Sequence, residues 1–234
     1  VNLERMLHSQ GFGSRKQCRA LIEAGRVALG GEPCLDWRYE QDWQDTCFHV
    51  DETEWRYRAQ VYLMLHKPAG YECSQQPQHH ASVFALLPEP LRLRGVQPAG
   101  RLDQDTTGLL LLSDDGPWLH ALMHPRRHVP KRYLAQLKHL LNDEQLHSLQ
   151  SGVLLHGETV PLAAHDTQRV SERSLSLTIE QGKYHQVKRM VAAAGNRVEG
   201  LHRAQIGCLA LGELPLGAWR YLSAEEVLMA TQTP

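Results

Sequence analysis

Asp103 lies in the run Gly100-Arg101-Leu102-Asp103-Gln104-Asp105-Thr106-Thr107-Gly108, which leads straight into four leucines, Leu109 to Leu112. Gly100 and Gly108 permit backbone angles closed to other residues. The leucine run reads as a strand covered on both faces, so the acid sits in a turn anchored to a rigid element. A carboxylate held this way can act as a nucleophile or a general base. Arg101, two residues earlier, shares one side of the extended segment and is free to meet an anionic substrate. The structural alternative is a turn former or helix cap, the commoner use of a loop aspartate.

Other pairings suggest other chemistry. Asp103-x-Asp105 and Asp114-Asp115 resemble the paired acids of a Mg2+-dependent nuclease or a glycosidase. Turns explain them more simply: Asp114-Asp115-Gly116 follows the leucine strand, where its acids are placed to cap the next helix. His124 with His128, and His79-His80, lack a third ligand at a suitable spacing, and with 14 His in the chain such pairs arise by chance. No metal is expected.

The elements that must position Asp103 are drawn from 234 residues with 42% hydrophobic content. At about 100–200 residues per domain this allows one or two domains, a small module and a larger one. No run approaches the ~18 apolar residues of a membrane span, and Val1-Asn2-Leu3-Glu4-Arg5 lacks the apolar core of a signal peptide, so a soluble cytoplasmic protein is expected. The five cysteines are scattered, without Cys-x-x-Cys spacing, and read as reduced structural thiols.

A net charge of −1 and a pI near 7.0 argue against nucleic acid as a partner until the charge is mapped along the chain. Residues 1–31 hold five Lys/Arg against two acids, and residues 32–60 hold eight acids against three Arg. Residues 123–139 carry Arg126, Arg127, Lys131, Arg132 and Lys138 with no acid, and residues 183–203 carry Lys183, Lys188, Arg189, Arg197 and Arg203 against Glu199 alone. A charge run is usually a solvated face, but three segregated basic segments point to an RNA footprint.

Helical spacing of Leu3, Met6 and Leu7, the break at Gly11 and Gly13, and Ser14 as an N-cap predict helices over 3–10 and 15–24. Val27-Ala28-Leu29 then reads as a strand with Gly30-Gly31 as its hairpin turn. The acidic, Trp-rich residues 36–58 read as hairpin strands and a connector, and the domain boundary falls near residue 59. Beyond it, helices are expected around 82–88, 116–124, 142–150 and 185–195, with strands near 61–65, 109–113, 132–138, 174–180 and 205–211. This irregular order predicts an α+β fold around a mostly antiparallel sheet.

Gly-Arg-Leu-Asp-Gln-Asp-Thr-Thr-Gly-Leu-Leu-Leu-Leu resembles the signature of the pseudouridine synthases, in particular their RsuA-type branch. Three further segments match in order: His66-Lys67-Pro68-Ala69-Gly70-Tyr71, Lys131-Arg132-Tyr133, and Gly182-Lys183-Tyr184-His185-Gln186-Val187-Lys188-Arg189-Met190. Together they span about residues 60 to 222. The N-terminal helix-helix-hairpin order resembles a small RNA-binding module also found in tyrosyl-tRNA synthetase and in a small-subunit ribosomal protein.

The resemblance implies an enzyme that isomerises uridine in RNA without a cofactor, its sheet carrying a catalytic cleft on one side. It places the required acid at Asp103, which either attacks C1′ of the ribose or first removes a C2′ proton to give a glycal. It places Lys188, where related branches often carry Arg, as the cation beside that acid; a cation within about 4–6 Å favours an ionised carboxylate. Tyr133 becomes the residue that stacks on uracil, for roughly 1–3 kcal/mol per base, with a hydroxyl available for proton removal; taken bare, it is core or edge packing. Arg101 is implied to engage the RNA where the base has left its stack, and is otherwise a structural salt bridge. Arg15, Lys16, Arg19 and Arg26 are implied phosphate contacts of the N-terminal module, and Lys131 and Arg189 belong to the RNA-binding basic segments. The branch it most resembles acts on small-subunit 16S ribosomal RNA, free or in an assembly intermediate; sister branches modify 23S ribosomal RNA or transfer RNA. A monomer is expected, and a non-catalytic RNA-binding assembly factor is the alternative from another class.

Overall fold

A computed structural model describes residues 1–233, which fold as two compact units. The first comprises residues 1–61 together with 87–97 and 113–115. Its helices α1 (Leu3–Ser9) and α2 (Arg15–Glu23) are both capped: Asn2 accepts the Arg5 amide, and Ser14 forms a reciprocal capping box with Gln17. Their apolar faces bury Leu3, Met6, Leu7, Cys18 and Ile22 against Val27, Trp43, Phe48 and Val50. Trp43, in the acidic stretch, is therefore core. Strands β1 (Val27–Leu29), β2 (Glu32–Pro33), β3 (Cys47–Val50) and β4 (Thr53–Arg56) form an antiparallel sheet in the order β2-β1-β3-β4. Gly30 and Gly31, both at positive φ, make the β1–β2 hairpin. A short helix, α3 (Glu89–Leu93), completes this unit.

The second unit is built on strands β5 (Tyr62–Lys67), β6 (Tyr71–Glu72), β7 (Ala81–Ser82), β8 (Gln97–Pro98), β9 (Thr107–Ser113), β10 (Lys131–Leu137), β11 (His165–Ser171), β12 (Ser174–Ile179), β13 (Val198–Ile206), β14 (Leu209–Ala210) and β15 (Trp219–Tyr221). Its helices are α4 (Gly116–Met123), α5 (Asp143–Ser151), α6 (Gln186–Ala193) and α7 (Ala224–Met229). The main sheet runs β11-β12-β10-β13-β9-β5-β15. The β11–β12, β12–β10, β10–β13 and β5–β15 pairs are antiparallel, while β13 meets β9 in parallel. The fold is α+β with an antiparallel-rich sheet. Leu109 to Leu112 are all fully buried, so β9 is covered on both faces; Leu109 and Leu111 pack with Met64, Trp118, Leu119 and Leu122. Among the described residues no helix is long and apolar enough to cross a membrane.

Several elements depart from their expected form. The expected helix over 82–88 is a 3-10 turn, Val83–Leu86, because Pro88 excludes a helical residue before it. The strand expected over 205–211 is the longer, earlier β13, which stops at Gly207; a side chain there would fall 2.4 Å from the Ala230 carbonyl oxygen. β11 was not expected, since His-Asp-Thr-Gln-Arg-Val-Ser has no apolar alternation: it is an exposed edge with only Thr167 buried. Asp114 is held in an ion pair. Its carboxylate receives the Arg94 guanidinium at 2.6 Å and the Val61 amide at 2.8 Å.

β9 approaches β13 closely enough that only a hydrogen fits between them at Gly108. Gly108 has φ +112° and pairs with Arg203, whose carbonyl oxygen would lie 2.3 Å from an added Cβ. Gly108→Ala is expected to cost roughly 2–4 kcal/mol, from backbone strain plus displacement of β13. The urea midpoint checks this; an unshifted midpoint would show that the strand pair tolerates a side chain.

Candidate active site

Asp103 lies on the loop 101–106 that feeds β9, and the loop is held from beneath. Lys67, at the end of β5, is fully buried, and its ammonium donates to the carbonyls of Pro68 (3.0 Å), Gln104 (3.2 Å) and Thr106 (2.9 Å). Burial pushes the Lys67 pKa down, while the fields of Cys73, Asp105 and Asp103 oppose that shift. The Thr106 amide donates to the Asp103 carbonyl at 3.1 Å, and the Gly70 amide to the Gln104 carbonyl at 2.9 Å, closing the turn. The Leu102 amide points at the buried Cys73 sulfur, 3.5 Å away.

Two side chains meet the acid, and one of them also holds Asp105. Lys188, on the first turns of α6, lies 3.0 Å from Asp103 Oδ2 and 2.7 Å from Asp105 Oδ1. His185 Nε2 lies 3.2 Å from Asp103 Oδ1. Burial lowers the pKa of Lys188, but its hydrogen bonds to Asp105 and Asp103 outweigh that and raise it; for Asp105, burial raises and the Lys188 contact outweighs it to lower the pKa. Asp105 is therefore engaged in orienting Lys188. His185 reaches the acid because it takes a left-handed conformation, φ +48°, at the N-cap of α6, with its ring stacked on Tyr184 at 3.8 Å.

Asp103 opens onto a cavity of about 590 Å³, within the range of small-ligand sites. Arg101, Lys131, Tyr133, Glu180 and Arg203 share its lining with the acid. Tyr133 is buried on β10, opposite Leu177 of β12 and Arg203 of β13. Lys131, two residues earlier on the same face, is lowered to about 8, first by burial and then by the Arg203 charge. Its charge is thus present below that pH and lost above it. Arg101 is exposed and forms no ion pair among the described residues, so the salt-bridge alternative has no partner.

The remaining basic residues divide. Arg189, half-buried, donates to the carbonyls of Tyr184 and His156, tying α6 to neighbouring loops. In the N-terminal unit, Arg19 is bound to Glu4 at 2.8 Å and lies over the Trp37 ring at 3.9 Å, and Arg26 is bound to Asp51 at 2.6 Å. Arg15 and Lys16 are exposed and hold no ion pair among the described residues. Lys67, His185 and Arg203 were missed as site residues by reading the chain. Lys67 carried a signal, a lysine closing an apolar strand; Arg203 enters only through the β13–β9 register.

The RNA pseudouridylate synthase family model matches residues 61–193, and the S4 domain model matches residues 2–40. The ribosomal small subunit pseudouridine synthase A of Yersinia pestis is 44% identical, covering 97% of each chain. The uncharacterized RNA pseudouridine synthase YtzG of Bacillus subtilis is 38% identical, again over 97% of each. A crystal structure of a pseudouridylate synthase, 33% identical, superposes with a TM-score of 0.69 over 98% of this chain and 99% of that one.

Replacing the buried Lys67 by methionine removes a donor from three carbonyls, of which Gln104 keeps the Gly70 amide. Lys67→Met is expected to cost roughly 2–4 kcal/mol in urea unfolding and to speed hydrogen exchange at the Thr106 and Gly70 amides. Unchanged exchange at both would mean that the loop is held by other contacts.

Proposed function

Because this chain belongs to the RNA pseudouridylate synthase family, we propose that it converts one specific uridine of small-subunit 16S ribosomal RNA to pseudouridine. The observation that carries the chemistry is Asp103, fixed between Lys188 and His185 at the mouth of a cavity that also contains Tyr133. The reaction breaks the bond from C1′ to N1 and rejoins the same base through C5. It asks for one oriented carboxylate, a cavity that retains the detached base, and charge to stabilise the step. Asp103 acts at C1′ or at the C2′ proton, with Lys188 and Asp105 setting its orientation. Tyr133 packs the base and stands ready to take part in the final proton removal. Arg101, exposed at the cavity, enters the gap that the extruded nucleotide leaves. The small-subunit assignment is supported by relatives that align with nearly the whole chain and carry that substrate in their names.

We assign residues 1–59 as an RNA-binding module with its connector and residues 60–234 as the catalytic domain of a cytoplasmic monomer. Within the module, Arg15 and Lys16 are the cations left open to phosphate, whereas Arg19 and Arg26 must leave a carboxylate to reach it. Lys131 and Arg189 belong to the basic face on the catalytic side.

Two measurements test this reading. Carbodiimide labelling and primer extension on small- and large-subunit ribosomal RNA and assembly particles should reveal one new site in the small-subunit RNA, absent with Asp103→Asn. A site in large-subunit RNA would overturn the substrate, and no site in any RNA would favour a binding factor. For the module, Arg15→Ala with Lys16→Ala should weaken RNA binding and flatten its log–log salt dependence by roughly 1–2, one counterion-release step per lost phosphate contact. An unchanged slope would remove the module as the anchor.

A further inference from the structure

Among the described residues three cations lining the catalytic cavity enter no ion pair: Arg101, which is exposed, and Lys131 and Arg203, which are not. Lys188 is neutralised by Asp103 and Asp105, and Lys183 by Glu158 at 2.5 Å. Lys131, by contrast, donates to the neutral Val129 carbonyl at 2.8 Å and enters no ion pair among the described residues. Arg203 is 2% exposed; its Nε donates to the Leu109 carbonyl at 2.8 Å, and its Nη2 is buried with no partner. Glu180, which also lines the cavity, lies 3.4 Å from His128 and 3.9 Å from His165, and its field reaches Lys131 without an ion pair forming. Burying positive charge without a counter-charge is costly, so a fold that keeps two such groups at one cavity is suited to an anion that arrives there.

We propose that Lys131 and Arg203 form the site that stabilises the uracil anion released during the reaction, with Lys131 meeting the base and Arg203 positioning the charge behind it. This rests on the pseudouridine synthase reading above. When the C1′–N1 bond breaks, its electron pair stays on the base, spread over N1 and the O2 and O4 carbonyls. C1′ meanwhile bonds an Asp103 oxygen, or becomes doubly bonded to C2′ as Asp103 takes the C2′ proton. C5 of the rotated base then attacks C1′, displacing the carboxylate oxygen or recovering the C2′ proton. The C5 proton leaves to a base and N1 ends protonated, so atoms and electrons balance. Between the two bonds the base is an anion without covalent attachment. Lys131 lies on the same strand face as Tyr133, and Arg203 is the cross-strand neighbour of Tyr133, so both charges flank the ring's stacking partner. Burial and then the Arg203 charge lower the Lys131 pKa, and the opposing field of Glu180 does not cancel them. A backbone phosphate is the other anion that could meet Lys131, and the two differ in when they act: phosphate in binding, the base anion in bond breaking.

The test varies the leaving group. Small-subunit RNA is transcribed with uridine or with 5-fluorouridine, whose fluorine stabilises the base anion without help from the protein. Single-turnover cleavage of the C1′–N1 bond is read by nuclease digestion and mass spectrometry at saturating protein. Lys131→Gln and Lys131→Met should slow uridine roughly 10²-fold, the scale of a lost anion-stabilising donor, and 5-fluorouridine by a clearly smaller factor. Arg203→Gln should show the same bias, while Lys131→Arg should stay near wild type. Making substitutions at both positions keeps the outcome decisive if one variant does not fold. Equal loss on both nucleosides would overturn the proposal in favour of a packing role. Weaker RNA binding with a salt slope reduced by about one, and an unchanged rate at saturation, would overturn it in favour of a phosphate contact. Failure of the wild-type protein to isomerise any uridine would instead sink the functional reading, before any variant is compared.

Discussion

A carboxylate on a loop is useful only if the loop cannot choose another shape, and here that constraint is met by one buried ammonium group. Lys67 donates to the Pro68 carbonyl beside it and to the Gln104 and Thr106 carbonyls just after Asp103, turning a glycine-bounded turn into a fixed platform. An ammonium without a carboxylate is an expensive filling for a core, and the three carbonyl dipoles offset part of that cost. Everything nearer the cavity depends on it. Lys188 can hold Asp103 and Asp105 together because the turn presents both acids to α6 at fixed spacing.

The second constraint is the close approach of β9 and β13. Their parallel pairing at Thr107–His202 and Gly108–Arg203 sets the start of β9, where the Asp103 loop joins the sheet, beside the buried arginine. Thr107 Oγ1 and His202 Nδ1 are 2.9 Å apart, so the junction is held by side chains as well as by backbone. Burial and the nearby His66 keep His202 below its ordinary pKa, which suits a neutral hydrogen-bonding ring at that point.

Much of this was legible in the chain. The fully buried leucines of β9, Ser14 as an N-cap and the Gly30-Gly31 hairpin follow from periodicity and local turn chemistry, and the structure uses all three. The nearness of Lys188 to Asp103 was implied by family resemblance, not by spacing, because 85 residues separate them. What stayed hidden is what depends on register. Arg203 looks like one more basic residue until β13 is laid beside β9. β11 has a polar composition that an edge strand tolerates and a pattern search passes over. His185 required a left-handed backbone at a residue other than glycine, for which the sequence offers no rule. The boundaries of the 205–211 strand were misplaced because Gly207 ends a strand by crowding against Ala230, a contact made with the far end of the chain.

The distance along the chain between Asp103 and Lys188 also has a consequence in time. A polypeptide emerges from the ribosome N-terminal end first, and units fold as their residues become available. The first compact unit needs nothing beyond residue 115, so the capped helices and their small sheet can form while the rest is still being made. The acid itself is synthesised early, yet its lysine and histidine arrive about eighty residues later, and the strand that fixes Gly108 about a hundred residues later. A nascent chain therefore has a folded N-terminal unit well before it has a competent active site.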